Sequence, residues 1–335
     1  MRALPPLALA LLAAAWTVGC PGVPREAEVE AARAAAASPE MSFAEYAAVC
    51  TMLIDEIPPL DSRLGAVIPI TVDGEVPPFF EPLMDCDRPS LLPDLPCGGQ
   101  CVPYSRLQLL RDDAEAQMVA LFRRTVLRPE DDPLFDEIDL IVHSVISGDT
   151  CWFRATADNP SCDPAIGLDG HNVPVPQAPG ADAFWNPLDE VVKLECGNCH
   201  DNDPFYYSPY VAQVIHHLPA NPLGKYSNAI GPFAAWPPLE SLTTRGNTCT
   251  GCHRIGVHHT SGAGLREATG MTVAPQEDGW ARSYPASHWM PAHNFLTEQQ
   301  WEVVYRRDAQ LLLDYNEKGE CDGCVVTPIP GGGVR

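Results

Sequence analysis

The sequence predicts a mainly α chain with extensive Pro-rich loops. It divides into a helical N-terminal region and a C-terminal region organised by two matching Cys/His motifs. Three observations lead there. Apolar residues recur at helical spacing in three segments between residues 42 and 148. Prolines number 35 in 335 residues, so much of the remaining chain must run irregularly, held by cross-links. Cys196-Gly197-Asn198-Cys199-His200 and Cys249-Thr250-Gly251-Cys252-His253 repeat one C-x-x-C-H pattern.

Residues 1–19 read as an export signal: basic Met1-Arg2, then an apolar stretch from Ala3 to Val18 too short to span a bilayer. Thr17-Val18-Gly19-Cys20 resembles a bacterial lipobox, with Thr17 where Leu is usual. The resemblance implies cleavage before Cys20 and lipidation of that residue, and Pro21 in place of Asp implies sorting towards the outer membrane. Ordinary cleavage nearby would leave Cys20 as one more thiol. Residues 20–41 are Ala-rich and charged and are expected to form a tether, partly helical at most.

Residues 42–148 are expected to be helical and to contain cysteines. Ser42 and Glu45 make a capping-box pattern. Phe43, Tyr46, Ala47, Cys50, Leu53, Ile54 and Ile57 follow at helical spacing until Pro58-Pro59. A short strand near Val67–Val72 would be confined to a sheet edge by Pro69. A second helix is expected over Ser105–Arg128, with Leu107, Leu110, Ala114, Met118, Leu121 and Phe122 on one face. A third starts at Asp132-Pro133 and carries Leu134, Ile138, Ile141, Val142 and Val145 to Gly148. Three such amphipathic helices would build a small core. Residues 149–182 read as disulfide-rich connecting loops, and residues 325–335 as a flexible tail.

The chain has 13 cysteines. Setting aside Cys20 and the four in the motifs leaves Cys50, Cys86, Cys97, Cys101, Cys151, Cys162, Cys321 and Cys324, an even set suited to four disulfides in an oxidising compartment. Cys321 and Cys324 form a third C-x-x-C, without His. It reads as a structural disulfide, because a thioredoxin-like role would need a βαβ context that is lacking. The formal charge of −23 opposes nucleic-acid binding and suits either a well-solvated surface or docking onto cationic patches of protein partners.

C-x-x-C-H is the pattern of covalent haem attachment. Two cysteines three apart face the same side of a helical turn and can form thioethers with the two vinyl groups of one porphyrin, and the adjacent His supplies the proximal iron ligand. The chain therefore resembles a dihaem c-type cytochrome over residues 183–324, and its C-terminal part resembles class I cytochromes c. The resemblance implies two covalently bound haem c groups, held by Cys196, Cys199 and His200 and by Cys249, Cys252 and His253. Phe184, Leu188, Val191 and Val192 resemble the helix that precedes the motif in class I cytochromes c. Cys249 follows Cys196 by only 53 positions, so both haems are expected to share one fold and lie close together. Zinc bound by four thiolates is the competing chemistry, opposed by the long separation and by the His that follows each pair.

For the second iron, Met290-Pro291 resembles the distal Met-Pro of class I cytochromes c, with His288 and His293 as rivals and core filling as the plain role for Met290. The helix beyond it opens on a Thr297/Gln300 capping box and carries Trp301, Val304, Tyr305, Asp308, Leu311 and Leu312 on one face. For the first iron, His216 or His217 could ligate opposite His200, as could His258 or His259. All four could instead be loop histidines. His143 is expected to be structural and His171 exposed.

The functional expectation is an exported electron-transfer protein of the bacterial cell envelope, lipid-anchored and serving redox protein partners, without catalytic residues. The alternatives are a peroxidase-like haem enzyme, whose dihaem representatives space their motifs much more widely, and a haem-bearing structural subunit of a surface complex.

Overall fold

A five-stranded antiparallel sheet, rather than a helical bundle, forms the centre of the protein. The computed structural model describes residues 26–90, 97–219, 223–269 and 298–331. Helices α1 (Glu26–Ala36) and α2 (Phe43–Leu53) come first. Strands β1 (Ala66–Val67), β2 (Arg106–Asp112), β3 (Ala116–Arg123), β4 (Leu134–Phe135), β5 (Glu137–Ser144), β6 (Thr150–Thr156) and β7 (Leu168–Asp169) follow. Then come α3 (Leu188–Lys193), the single turn α4 (Cys196–Cys199), β8 (Glu240–Thr244), β9 (Ile255–Gly256) and α5 (Ala263–Thr269). Helices α6 (Glu298–Val304) and α7 (Arg306–Lys318) and strand β10 (Cys324–Pro328) complete the chain. The large sheet has the order β1-β2-β3-β5-β6, with a small sheet β10-β8-β9 and a pair β4-β7 beside it.

The expected mainly α fold is thereby corrected, and two of its three helices are strands. The segment expected to be helical over Ser105–Arg128 is the hairpin β2–β3. Strand β3 is buried on both faces, so it reads as an almost continuous apolar run, and periodicity alone cannot separate such a run from a helix. The turn is made by Asp113, whose Oδ1 accepts the N–H groups of Glu115 (2.8 Å) and Ala116 (3.0 Å). The third expected helix is β4 and β5. Asp132 does accept the Leu134 N–H at 2.8 Å, as an N-cap would, but the bond closes a turn. The expected edge strand reduces to β1, which does lie at the sheet edge.

Helix α2 starts at the expected capping box but ends at Leu53, short of Ile57 and the prolines expected to stop it. Ser42 Oγ accepts the Glu45 N–H, and Glu45 Oε2 accepts the Ser42 N–H at 2.8 Å. Its Tyr46, Ala47 and Cys50 pack on one face of the sheet against Met118, Ala120, Phe122, Ile138, Leu140, Val142 and Phe153. Cys50–Cys151 ties α2 to β6, while Cys86–Cys101, Cys97–Cys162 and Cys321–Cys324 close the loops. Helix α1 lies on α2 and buries Ala32 and Ala36. No helix among the described residues is long and apolar enough to cross a membrane.

The other face of the sheet carries Leu107, Val119, Leu121 and Ile141. The chain that leaves the first motif covers it with Phe205, Tyr210, Val211 and Leu218. This face is the platform on which the first C-x-x-C-H stands.

Candidate functional site

Local packing aims the first motif. Leu188 and Val191 of α3 are buried, and Trp236 Nε1 donates to Val192 O at 2.9 Å. Glu195 adopts a left-handed φ of 49°, which redirects the chain from α3 into the turn Cys196–Cys199. The His200 N–H closes that turn on Cys196 O at 2.9 Å. Gly197 has no room for a side chain, since a Cβ there would lie 2.7 Å from Trp236 Cε3.

His200 is fixed on three sides. Its Nδ1 faces Pro204 O at 2.9 Å, and since a carbonyl only accepts, the proton is on Nδ1 and the Nε2 lone pair is free. Trp152 stands edge-on to the ring with centroids 5.0 Å apart, and Tyr226 Oη donates to His200 O at 2.7 Å. Burial lowers the pKa of His200 to about 4, so the imidazole is neutral at pH 7. Burial likewise pushes the Cys196 thiol up to about 12, with the negative charge of Asp139 adding to the shift.

A charged quartet lies on the same sheet face. Arg123 Nε is 3.4 Å from Glu137 Oε1 and 3.3 Å from Asp139 Oδ2, and Arg154 pairs with Glu137. Burial, with Asp139 beside it, pushes the Glu137 carboxyl well up. Burial also opposes charge on Asp139, but Arg123 and Arg154 outweigh it and hold that carboxyl down. The quartet lay outside the sequence reading. The alternation Glu137-Ile138-Asp139-Leu140 was its signal, legible only to a reader who already had a strand there.

The second motif is held by the C-terminal helices. Asn247 Oδ1 accepts the Cys249 N–H at 2.9 Å, and Asn247 Nδ2 donates to Asp308 O at 2.9 Å. Asp308 Oδ2 accepts the Thr248 N–H at 2.8 Å. Cys249 packs into a cluster with Leu242, Ile255, Leu265, Trp301, Leu312 and Leu313, and burial raises its thiol to about 11. The expected terminal helix is broken at Tyr305 into α6 and α7, and Val304, expected on the apolar face, is exposed. His253 is exposed, and its ring has no hydrogen bond to a described residue.

The residues after the two motifs interlock. Asp201 accepts the His258 N–H (2.8 Å) and the Thr260 hydroxyl (2.8 Å). Asn202 Nδ2 donates to Arg254 O at 2.9 Å, and Asp203 pairs with Arg254 at 3.3 Å, both side chains buried. Gly256 lies against the Asp201 carboxylate and leaves no space for a Cβ.

Among the described residues four cysteines are unpaired, Cys196, Cys199, Cys249 and Cys252, with Cys199 and Cys252 exposed. Among the described residues no three His, Cys, Asp or Glu side chains converge on one point, so the four thiols do not form one metal cage. Of the distal candidates, His259 is half-buried, and Tyr206 makes edge-on ring contacts with both it and His200. Burial lowers the pKa of His259. His258 and His216 are exposed and His217 is half-buried. His143 is buried, with Nδ1 2.9 Å from Thr150 Oγ1. Met290, His288, His293 and Cys20 lie outside the described residues.

No family model, no curated protein and no solved structure matches the chain. The expected membership of the dihaem c-type cytochromes, with a class I-like C-terminal part, is corrected accordingly. The sheet-centred fold, the lack of any match and the lack of a converging metal-ligand group among the described residues all stand against it. The C-x-x-C-H spacing constrains one helical turn and its His. It does not constrain the scaffold around them, which is why the motifs carried no information about fold.

Proposed function

We propose that this chain binds two haems covalently, through Cys196/Cys199 and Cys249/Cys252 with His200 and His253 as proximal ligands. In this reading it passes single electrons between redox proteins of a bacterial cell envelope. One observation carries the reading. Eight cysteines pair into four disulfides, while the four in the C-x-x-C-H motifs stay as thiols. In a compartment oxidising enough for those disulfides, two C-x-x-C pairs left open are thiols with another use. Addition of each S–H across a vinyl C=C forms a carbon–sulfur bond and needs no oxidant.

The residues around His200 fit the group. Pro204 O fixes the tautomer that leaves Nε2 to the iron, and Trp152 restrains the ring. Bound haem supplies a reversible one-electron couple. The chain supplies its setting: Asp201, Asn202 and Asp203 hold the two motif segments together, and the sheet excludes water beneath the first. The acidic surface suits partners with cationic docking patches. The disulfides support an exported location, with lipidated Cys20 as the anchor.

Spectroscopy of protein from a maturation-competent host tests the function. Electron transfer predicts low-spin spectra that switch reversibly on reduction, with little carbon monoxide bound by the ferrous form. Ready carbon monoxide binding at both haems would favour a peroxidase-like haem enzyme instead.

A further inference from the structure

We propose that the open groove between the start of α2 and the start of α3 docks a peptide segment of a partner protein that carries lysine or arginine beside aliphatic side chains. The proposal deepens the partner part of the reading above and needs no haem. The groove has a volume of about 430 Å³, and Met41, Phe43, Trp185 and Leu188 give it apolar walls. Its charged lining is Glu40, Asp182 and Asp189, with no lysine, arginine or histidine among the described residues that border it. All three carboxylates are exposed. Lys193 engages Asp189 at 2.7 Å, while the Glu40 and Asp182 side chains have no ion pair or hydrogen bond with a described residue. Apolar walls under uncompensated negative charge select an occupant that is aliphatic and cationic at once. An acidic segment would be repelled, and so would a second copy of this chain at a formal −23. Because the groove is open, a small ligand would stay half in water, whereas a peptide can lay side chains in it and run on at both ends.

The walls are fixed before anything binds. Trp185 Nε1 donates to Pro174 O at 2.9 Å, and its ring meets Phe153 edge-on with centroids 6.1 Å apart. Phe43 meets the same Phe153 edge-on at 5.8 Å. The capping box of Ser42 and Glu45 sets the backbone between Met41 and Phe43. Pro39, Pro187 and Pro232 stiffen three of the bordering segments. Gly231, at a φ of 60°, leaves room for Met41, whose Sδ would lie 3.3 Å from a Cβ there. A groove built this way spends little ordering entropy when it is filled. Leu188 stands eight positions before Cys196, so a docked segment lies against the helix that leads into the first motif.

The test titrates the full-length protein calorimetrically with a synthetic octapeptide of alternating lysine and leucine. Saturable one-to-one binding is expected. Glu40→Gln combined with Asp182→Asn should weaken it about three- to tenfold. Asp73→Asn with Glu75→Gln, an equal loss of charge at another exposed site, should leave it unchanged. Peptides with glycine in place of leucine, or glutamate in place of lysine, should not bind. Zero-length carbodiimide cross-linking, which needs no variant, should join the peptide's lysines to Glu40, Asp182 or Asp189. No saturable binding, equal weakening by the two double variants, undiminished binding of either control peptide, or cross-links confined to other carboxylates would overturn the proposal. So would a dimer in sedimentation that Glu40→Gln with Asp182→Asn abolishes, because it would give the groove to a second copy. Binding by protein of bare polypeptide mass would uphold the groove while defeating the haem reading, so the two fail separately.

Discussion

Asp201, the residue after the first motif's histidine, accepts the backbone N–H of His258 on Oδ2 at 2.8 Å. This bond joins segments 57 positions apart and, with the Asp203–Arg254 pair, makes one structural unit of the two motif regions. Asp201→Ala would leave the His258 N–H and the Thr260 hydroxyl without their acceptor, at a cost of about 2–4 kcal/mol for buried bonds to a charged group. Thermal unfolding should show the loss, and an unchanged melting temperature would mean the clamp does not contribute to stability.

Gly256 tests the same contact from the other side. Its place against the Asp201 carboxylate leaves no space for a methyl group. Gly256→Ala should therefore destabilise by about 1–3 kcal/mol. Combined with Asp201→Ala, it should cost less than the sum of the two, because the clash disappears with the carboxylate. Strict additivity in denaturant titrations would contradict the packing described.

His143 gives the protein a pH response independent of the motifs. Burial depresses its pKa to about 4. The folded state thus holds it neutral while the unfolded chain titrates near 6.5. Its contribution is fully present above pH 6.5 and is lost as pH falls towards 4, by about 3 kcal/mol at 1.36 kcal/mol per pH unit. His143→Gln should flatten the urea midpoint against pH over that window. A slope equal to that of wild type would assign the response to other groups.

The Cys50–Cys151 disulfide spans 101 residues and pins α2 to the sheet. Replacing both cysteines with Ala should lower stability by about 2–5 kcal/mol. Both cysteines belong to a core cluster that takes in Trp152, Trp236 and Cys196 at the first motif, so the spectrum of a haem bound there should shift as well. Unchanged spectra would show that this cross-link does not support the first motif.

What the sequence discloses follows from how far each signal reaches along the chain. The capping box at Ser42 and Glu45 is local, and α2 was legible from it. So was the even set of eight cysteines, although the pairing of Cys97 with Cys162 depends on the whole fold. Strand β3 was not legible, because burial on both faces erases the two-residue alternation. At Asp132 a cap-like bond starts a turn and strand, so the same local chemistry led to the wrong element. The C-x-x-C-H turns were plain, but the platform beneath the first motif comes from residues as distant as Arg123 and Trp152, which only the sheet brings to His200.

The most direct test of covalent haem at both motifs is intact-mass and peptide-mapping analysis of mature protein from a host that attaches haem. Covalent attachment at both motifs predicts polypeptide plus two haems, one on the peptide with Cys196 and Cys199 and one on the peptide with Cys249 and Cys252. Unmodified peptides, or those four cysteines recovered as disulfides, would contradict it.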